Sequence, residues 1–392
     1  MTGLRVLYSF PQRLGASRVA YTAWQQVVGL SQQGIEVAAH AGSFARTLPE
    51  DVDRQPTLSR GKARLPYRLV GLARACRAHD ALVARRLRRD RTGVDLVHTW
   101  PLGAELTLQT CREMGIPTVL ERPNCHTRFA YQVVADECAR LGLHLPSKSE
   151  HAFDAARLER EEEEYRLAYR LLCPSDFVAE TFTYRGHPES QLLRHTRGYD
   201  PSLYYPTTPD PGRPFTAIFV GFAAVRKGLH IALDAWLASP AAKDGRFLIA
   251  GGILEAYREY LGPSLAHPSV QVLGHRDDVS ELLRESDVLL LPSVEEGFGR
   301  VCVEAMASGC IPLVSTVCTD ECIHEVNSIV HEVGDTDALT EQINSIYLDI
   351  GFRRRLRDGA LASAPGLTWD AASHRLVAAY RQTIQSWHAS EP

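Results

Sequence analysis

Two glutamates, Glu296 and Glu304, have seven residues between them and bracket the glycine-flanked phenylalanine of Gly297, Phe298 and Gly299. The apolar run before them, ending at Pro292, reads as a buried strand, and the text from about Arg300 to Ala307 reads as a helix. A strand, loop and helix of this kind aim free backbone N–H groups and the positive end of a helix dipole at the carboxyl edge of a sheet. That arrangement suits a phosphate, and the two glycines let the main chain approach it without Cβ interference. Carboxylates beside a diphosphate are repelled by it unless they accept hydrogen bonds from hydroxyl groups. Sugar hydroxyls supply such donors, so Glu296 is assigned to a transferred sugar and Glu304 to the ribose of a nucleotide.

Such a loop needs an open parallel sheet beneath it. Short β-rich runs alternate with helical patterns through both halves, from LRVLYSF, a helix over about 20–33 and IEVAAHA to DLVHTW and PTVLE. The rhythm pauses in GYDPSLYYPTTPDPGRP and restarts with FTAIFVG, RFLIAGG, VQVLG, DVLLLP and IPLVS. Alternation of this type predicts parallel strands with crossover helices, and the proline-rich stretch predicts a linker. The fold class expected is α/β, with two Rossmann-like domains. Thr368 is placed to cap a last helix whose Trp369, Leu376, Val377, Tyr380, Ile384 and Trp387 need a docking surface.

Residues 65–89 have apolar positions at helical spacing among Arg68, Arg74, Arg77, Arg85, Arg86, Arg88 and Arg89. Such a basic amphipathic helix covers a sheet with a solvated outer face, or makes peripheral contact with anionic membrane. The acidic run at 160–165 reads as a solvated helix surface, because adjacent helical glutamates cannot converge on one ion. No metal-ligand pattern is found, so no metal and no cofactor is expected.

A chain of 392 residues, 45% hydrophobic and 23% charged, has enough apolar content for two globular cores. A net charge of −4 offers nucleic acid no general attraction. The first residues run into a strand without a signal-peptide pattern, and the nine cysteines contain no CxxC pair. Reduced thiols and a cytoplasmic location are expected, extending to the inner membrane face if the basic helix binds lipid.

The segment EGFGRVCVE resembles the E-x7-E motif of the retaining glycosyltransferases of family 4, which have the GT-B fold. VGFAAVRKGLHIALDAW, GHRDDVSELLRESDVLLLPS and EVGDTDALTEQI resemble further family segments in the same order; the likeness is specific from about Phe215 to Asp335. The resemblance implies an acceptor-binding domain over 1–205, a nucleotide-sugar-binding domain over 206–366, and a C-terminal helix over 367–392 that returns to the first domain. It implies that Lys227, with Arg226 beside it, neutralises the donor diphosphate after the strand ending at Gly221. Phe222 stands where the family usually has an arginine, so Arg226 or another arginine is expected to replace it.

The same resemblance places His275 and Arg276 near the nucleobase and Gly15 near donor phosphate or acceptor. It sets His126 near the reacting sugar; position at strand ends alone makes His98, Glu121 and Asn124 further candidates for the cleft. The implied partners are a nucleotide-sugar donor and an acceptor that is a sugar, a glycolipid or a small molecule. The implied reaction is retaining transfer of a hexose, without metal, in surface polysaccharide or glycolipid assembly. A sugar-nucleotide epimerase, a phosphorylase and a non-catalytic nucleotide-binding protein are the rival readings on the same scaffold.

Overall fold

The computed structural model describes residues 3–61, 63–64, 70–89, 93–147, 149–208, 210 and 212–390. The chain opens with β1 (Arg5–Leu14), β2 (Glu36–Phe44) and β3 (Asp53–Pro56), then a small antiparallel pair, β4 (Ser59–Arg60) and β5 (Ala63–Arg64). Strands β6 (Leu96–Thr99), β7 (Thr118–Glu121), β8 (Arg170–Cys173) and β9 (Leu192–Arg194) complete a parallel sheet of order β3-β2-β1-β6-β7-β8-β9. A second parallel sheet is built from β10 (Thr216–Val220), β11 (Arg246–Ala250), β12 (Val270–Gly274), β13 (Val288–Leu291), β14 (Ile311–Ser315) and β15 (Ile329–His331). Its order is β12-β11-β10-β13-β14-β15. Helices cover both faces of each sheet, which is why runs such as Val288–Leu291 are buried along their whole length. The architecture is the two-domain GT-B type.

Strand order reverses between β1 and β6 in the first sheet and between β10 and β13 in the second. The loops that leave the carboxyl ends of those strands diverge and open a crevice in each domain. Two chain crossings join the domains side by side: Tyr199 N–H donates to Leu367 O at 3.1 Å and Trp369 N–H donates to Tyr199 O at 3.2 Å. Gly198 is required there, since a Cβ would stand 2.3 Å from the Trp369 nitrogen. The Thr368 hydroxyl accepts the Ala371 N–H at 3.2 Å, and helix Trp369–Ser390 buries Leu376, Val377 and Tyr380 in the N-terminal core.

Of the basic segment 65–89, residues 65–69, with Arg68, lie outside the described residues. Helix Leu72–Arg89 turns Cys76, His79, Val83 and Leu87 inward, while Arg74, Arg77, Arg85, Arg88 and Arg89 are exposed. It packs against the first sheet and leaves those arginines on its outer face.

The acidic run corrects the expectation of a solvated surface. Helix Ala155–Leu167 turns Glu161 and Glu164 into the protein, where each is buried. Glu161 receives Arg157 at 2.8 Å, the Tyr165 hydroxyl at 2.7 Å and Arg122 at 3.4 Å. Burial pushes its carboxyl up, but Arg122 and Arg157 overcome that and hold it at about 2. Glu164 accepts the N–H groups of Leu102 at 2.8 Å and Ala104 at 3.0 Å, and burial raises it to about 8. Glu162 and Glu163 alone keep surface ion pairs, with Arg128 and Arg166.

Candidate functional site

Two loops at the switch point of the second sheet meet edge to edge. Gly228, with φ at 67°, packs so tightly that a Cβ would lie 1.9 Å from the Pro292 carbonyl. The loop after β10 carries Arg226 and Lys227; the loop after β13 carries Glu295, Glu296 and Phe298 and leads into helix Arg300–Ser308. They enclose a cavity of 740 Å³ lined by Gly221, Arg226, Lys227, Glu296, Phe298 and Glu304 among others. The structure therefore brings together the sequence-derived cations and both spaced carboxylates.

Their charges are matched. Lys227 Nζ touches the Glu296 carboxylate, and Arg226 Nη1 lies 3.2 Å from Glu295 and 3.7 Å from Glu296. Arg300 Nε donates to Glu304 at 2.7 Å. Burial, then the neighbouring Arg226 guanidinium, lowers the Lys227 amine to about 7, although contact with Glu296 favours its charged form. An incoming polyanion would restore the proton. Polyanion binding is therefore expected to take up protons above pH 7 and to weaken as pH rises. Calorimetry in buffers of different ionisation enthalpy measures that uptake, and zero uptake at pH 8 contradicts it.

The backbone cradle is narrower than the glycines suggest. Gly299 N–H already donates to Cys318 O at 2.8 Å, and Gly297 N–H to the Glu296 carboxylate at 3.2 Å. The N–H groups of Phe298 and Val301 meet no acceptor among the described residues, and both residues line the cavity. Gly297 serves another purpose. A Cβ there would lie 1.9 Å from the Pro123 carbonyl, and the Ser175 hydroxyl donates to Gly297 O at 3.1 Å, so the N-terminal domain abuts the loop at this point.

Sequence reasoning missed three residues of this region. Glu295 is fully buried, with Cys125 Sγ at 3.2 Å, His151 Nε2 at 3.4 Å and Arg226 at 3.2 Å. Burial opposes its charge, yet Arg226 and His151 hold it ionised, down to about 2. It thereby fixes Arg226 and ties both domains together. His151 and the buried Arg197 line the cavity from the first domain, and Arg197 also reaches Pro123 O at 3.3 Å. The doubled acid of EEGFG was the one available signal, for Glu295; the other two depend on long-range packing.

The remaining sequence-derived residues divide. Asn124 lines the cavity, as does Phe222, which is 48% exposed and has the Arg18 guanidinium 5.9 Å from its ring centroid. Arg18, Arg197, Arg226 and Arg300 line the same cavity as Phe222. Gly15 has φ at 80° and is boxed in by Arg46 and Trp24 behind the loop after β1, so it shapes that loop.

His126 does not border the cavity. It caps helix Thr127–Arg140 by accepting the Arg128 N–H at 3.2 Å and packs against Tyr165 and Phe182, and burial lowers it to about 3. His98 and Glu121 are fully buried, His98 bonded to Tyr380 at 2.6 Å and Glu121 to Gln26 at 3.1 Å, and neither lines the cavity. His275 and Arg276 are exposed, pair with Asp277 and Asp278, and do not line the cavity.

Residues 214–349 match the family described as glycosyl transferases group 1. An uncharacterized glycosyltransferase of Methanocaldococcus jannaschii is 30% identical over 175 residues, covering 43% of this chain and 45% of that protein. The chain thus matches less than half the length of that curated relative. Among solved structures, sucrose-phosphate synthase from Thermosynechococcus elongatus superposes with a TM-score of 0.72 at 20% identity, covering 98% of this chain and 100% of the other. Anabaena HepE in complex with UDP-glucose superposes with a TM-score of 0.67 at 17% identity, covering 98% of this chain and 100% of that chain. The group 1 likeness covers residues 214–349, and the likeness of fold covers nearly the whole chain.

Proposed function

We propose that the protein is a retaining glycosyltransferase that moves a hexose from a nucleoside diphosphate sugar to an acceptor hydroxyl without a metal ion. The observation that carries this reading is the convergence of Lys227 and Arg226 with Glu296 and Glu304 around one cavity at a strand-order reversal. The leaving nucleoside diphosphate gains negative charge on its β-phosphate as the glycosidic bond breaks, and fixed cations with unsatisfied N–H groups stabilise it there. Lys227, Arg226 and the N–H groups of Phe298 and Val301 supply those charges. Glu296 changes partner, from Lys227 to the hydroxyls of the transferred sugar, and Glu304 holds the ribose. The acceptor approaches from the first domain on the same face as the leaving phosphate, which takes its proton. The group 1 match and the likeness to a fold that holds UDP-glucose in HepE support this assignment.

Glu304→Ala tests the ribose contact. Hydrogen bonds to a carboxylate are worth about 1.5–3 kcal/mol, so donor affinity should fall by roughly 10- to 100-fold in calorimetry with a panel of nucleoside diphosphate sugars. Affinity within about twofold of wild type would remove Glu304 from the site.

A further inference from the structure

The first domain holds a larger cavity, of 1240 Å³, at its own switch point, between the loops that follow β1 and β6. It shares Arg18, Val19, Pro123, Asn124, Ser149 and Glu150 with the C-terminal cavity, so the two are continuous. Five arginines line it, Arg13, Arg18, Arg77, Arg157 and Arg160, against two carboxylates, Glu150 and Asp154.

The carboxylates are already engaged. Asp154 caps helix Ala155–Leu167 through the Arg157 N–H at 3.0 Å, and Glu150 stands 4.0 Å from Arg18. Arg157 is held by Glu161 at 2.8 Å and by the Glu150 carbonyl at 3.1 Å. The side chains of Arg13, Arg77 and Arg160 make no ion pair or hydrogen bond among the described residues. Arg160 lies within electrostatic reach of the Asp80 carboxylate, but the Asp80 oxygens are taken by the N–H groups of Leu106 at 2.8 Å and Thr107 at 2.9 Å and by the Thr107 hydroxyl at 2.7 Å.

The three arginines line one cavity, and two of them, Arg13 and Arg77, stand on elements that meet. A Cβ on Gly103 would lie 2.6 Å from Pro11 and 3.4 Å from the Cys76 carbonyl, so the end of β1, the loop after β6 and helix Leu72–Arg89 meet there. The β1–β2 register shifts between Phe10 and Arg13, a bulge of the kind that re-aims a side chain. Phe10, Leu72 and Trp100 add an apolar wall. A neutral polyol needs hydrogen-bond acceptors as much as donors, whereas guanidinium groups only donate and match the oxygens of phosphate.

We infer that the acceptor carries a phosphate group, held by Arg13, Arg77 and Arg160 in the N-terminal cavity while its hydroxyl faces the donor. This deepens the glycosyltransferase reading and rests on the C-terminal cavity being the donor site. The phosphate belongs either to a soluble sugar or polyol phosphate or to a lipid carrier.

The test is thermal stabilisation by inorganic phosphate, with chloride at equal ionic strength as control, in the wild type, Arg77→Gln/Arg160→Gln and Lys227→Ala. The phosphate concentration for half the shift should rise by at least about tenfold in the arginine variant and stay within about twofold in Lys227→Ala. A shift lost in Lys227→Ala and kept in the arginine variant, or no phosphate-specific shift in any protein, overturns the proposal. Nucleoside diphosphate sugars on the same proteins separate the two readings: stabilisation that survives Lys227→Ala refutes the donor site, whatever phosphate does. Co-sedimentation with phosphatidylcholine vesicles, with and without phosphatidic acid, separates the sources. Pelleting that requires Arg77 and Arg160 assigns a lipid-borne phosphate, and an intact phosphate shift without pelleting assigns a soluble one; either result upholds the phosphate site.

Discussion

Lys227→Ala is expected to lower turnover by about 10²- to 10³-fold, the cost of removing one preorganised charge from a developing oxyanion. The lysine sits on the short turn between β10 and Gly228, whose left-handed conformation and contact with Pro292 fix the turn against the loop carrying Glu296. Its position is thus set by backbone packing before any ligand arrives. Alanine leaves the turn intact, so the loss falls on the reaction more than on folding. Glu296 then faces the diphosphate with Arg226 alone, and Arg226 is shared with Glu295. Initial rates with a nucleoside diphosphate sugar, by product or by released nucleotide, measure the effect. Turnover within about fivefold of wild type would place the leaving-group charge elsewhere.

The largest stability effect is expected at Arg122. Its side chain and that of Glu161 are each 2% exposed, and the guanidinium also lies 4.3 Å from the Tyr165 ring centroid. Removing Arg122 leaves the buried Glu161 with Arg157 as its one cation, so Arg122→Met should cost about 3 kcal/mol in denaturant unfolding. Glu161→Gln added to it should restore part of that loss, because the carboxylate left short of positive charge is gone. The pH dependence has a definite sign. The folded-state carboxyl is held at about 2, below its unfolded value, so its contribution is complete above roughly pH 5 and is lost as pH falls toward 2. A loss below about 1 kcal/mol for Arg122→Met would show that the pair is not a structural centre.

The chemistry-bearing loop was legible because its signal is local. Glu296, Gly297, Phe298, Gly299 and Glu304 lie within one strand-loop-helix unit, and their spacing alone puts them at a sheet edge. Lys227 required the resemblance to a known family, since nothing in the sequence shows that the loop after β10 touches the loop after β13. His98 and Glu121 were correctly placed at strand ends, yet helix Trp369–Ser390 lays Tyr380 over His98, and Gln26 and Arg197 enclose Glu121. No local pattern marks which strand ends a distant helix will close.

The acidic run carried a readable signal that its composition obscured. Leu158, Glu161 and Glu164 recur at helical spacing on the buried face, so periodicity pointed inward while charge pointed outward. Charge lost because Arg122, Arg157 and two peptide N–H groups were waiting inside.

A crystal structure with a bound nucleoside diphosphate sugar tests the donor assignment most directly. The expected result is a pyrophosphate within hydrogen-bond reach of Lys227 Nζ and of the Phe298 or Val301 N–H, with Glu304 on the ribose and Glu296 moved from Lys227 to the sugar. A pyrophosphate lodged between β1 and β6 beside Arg13 and Arg160, with Lys227 still against Glu296, would contradict it.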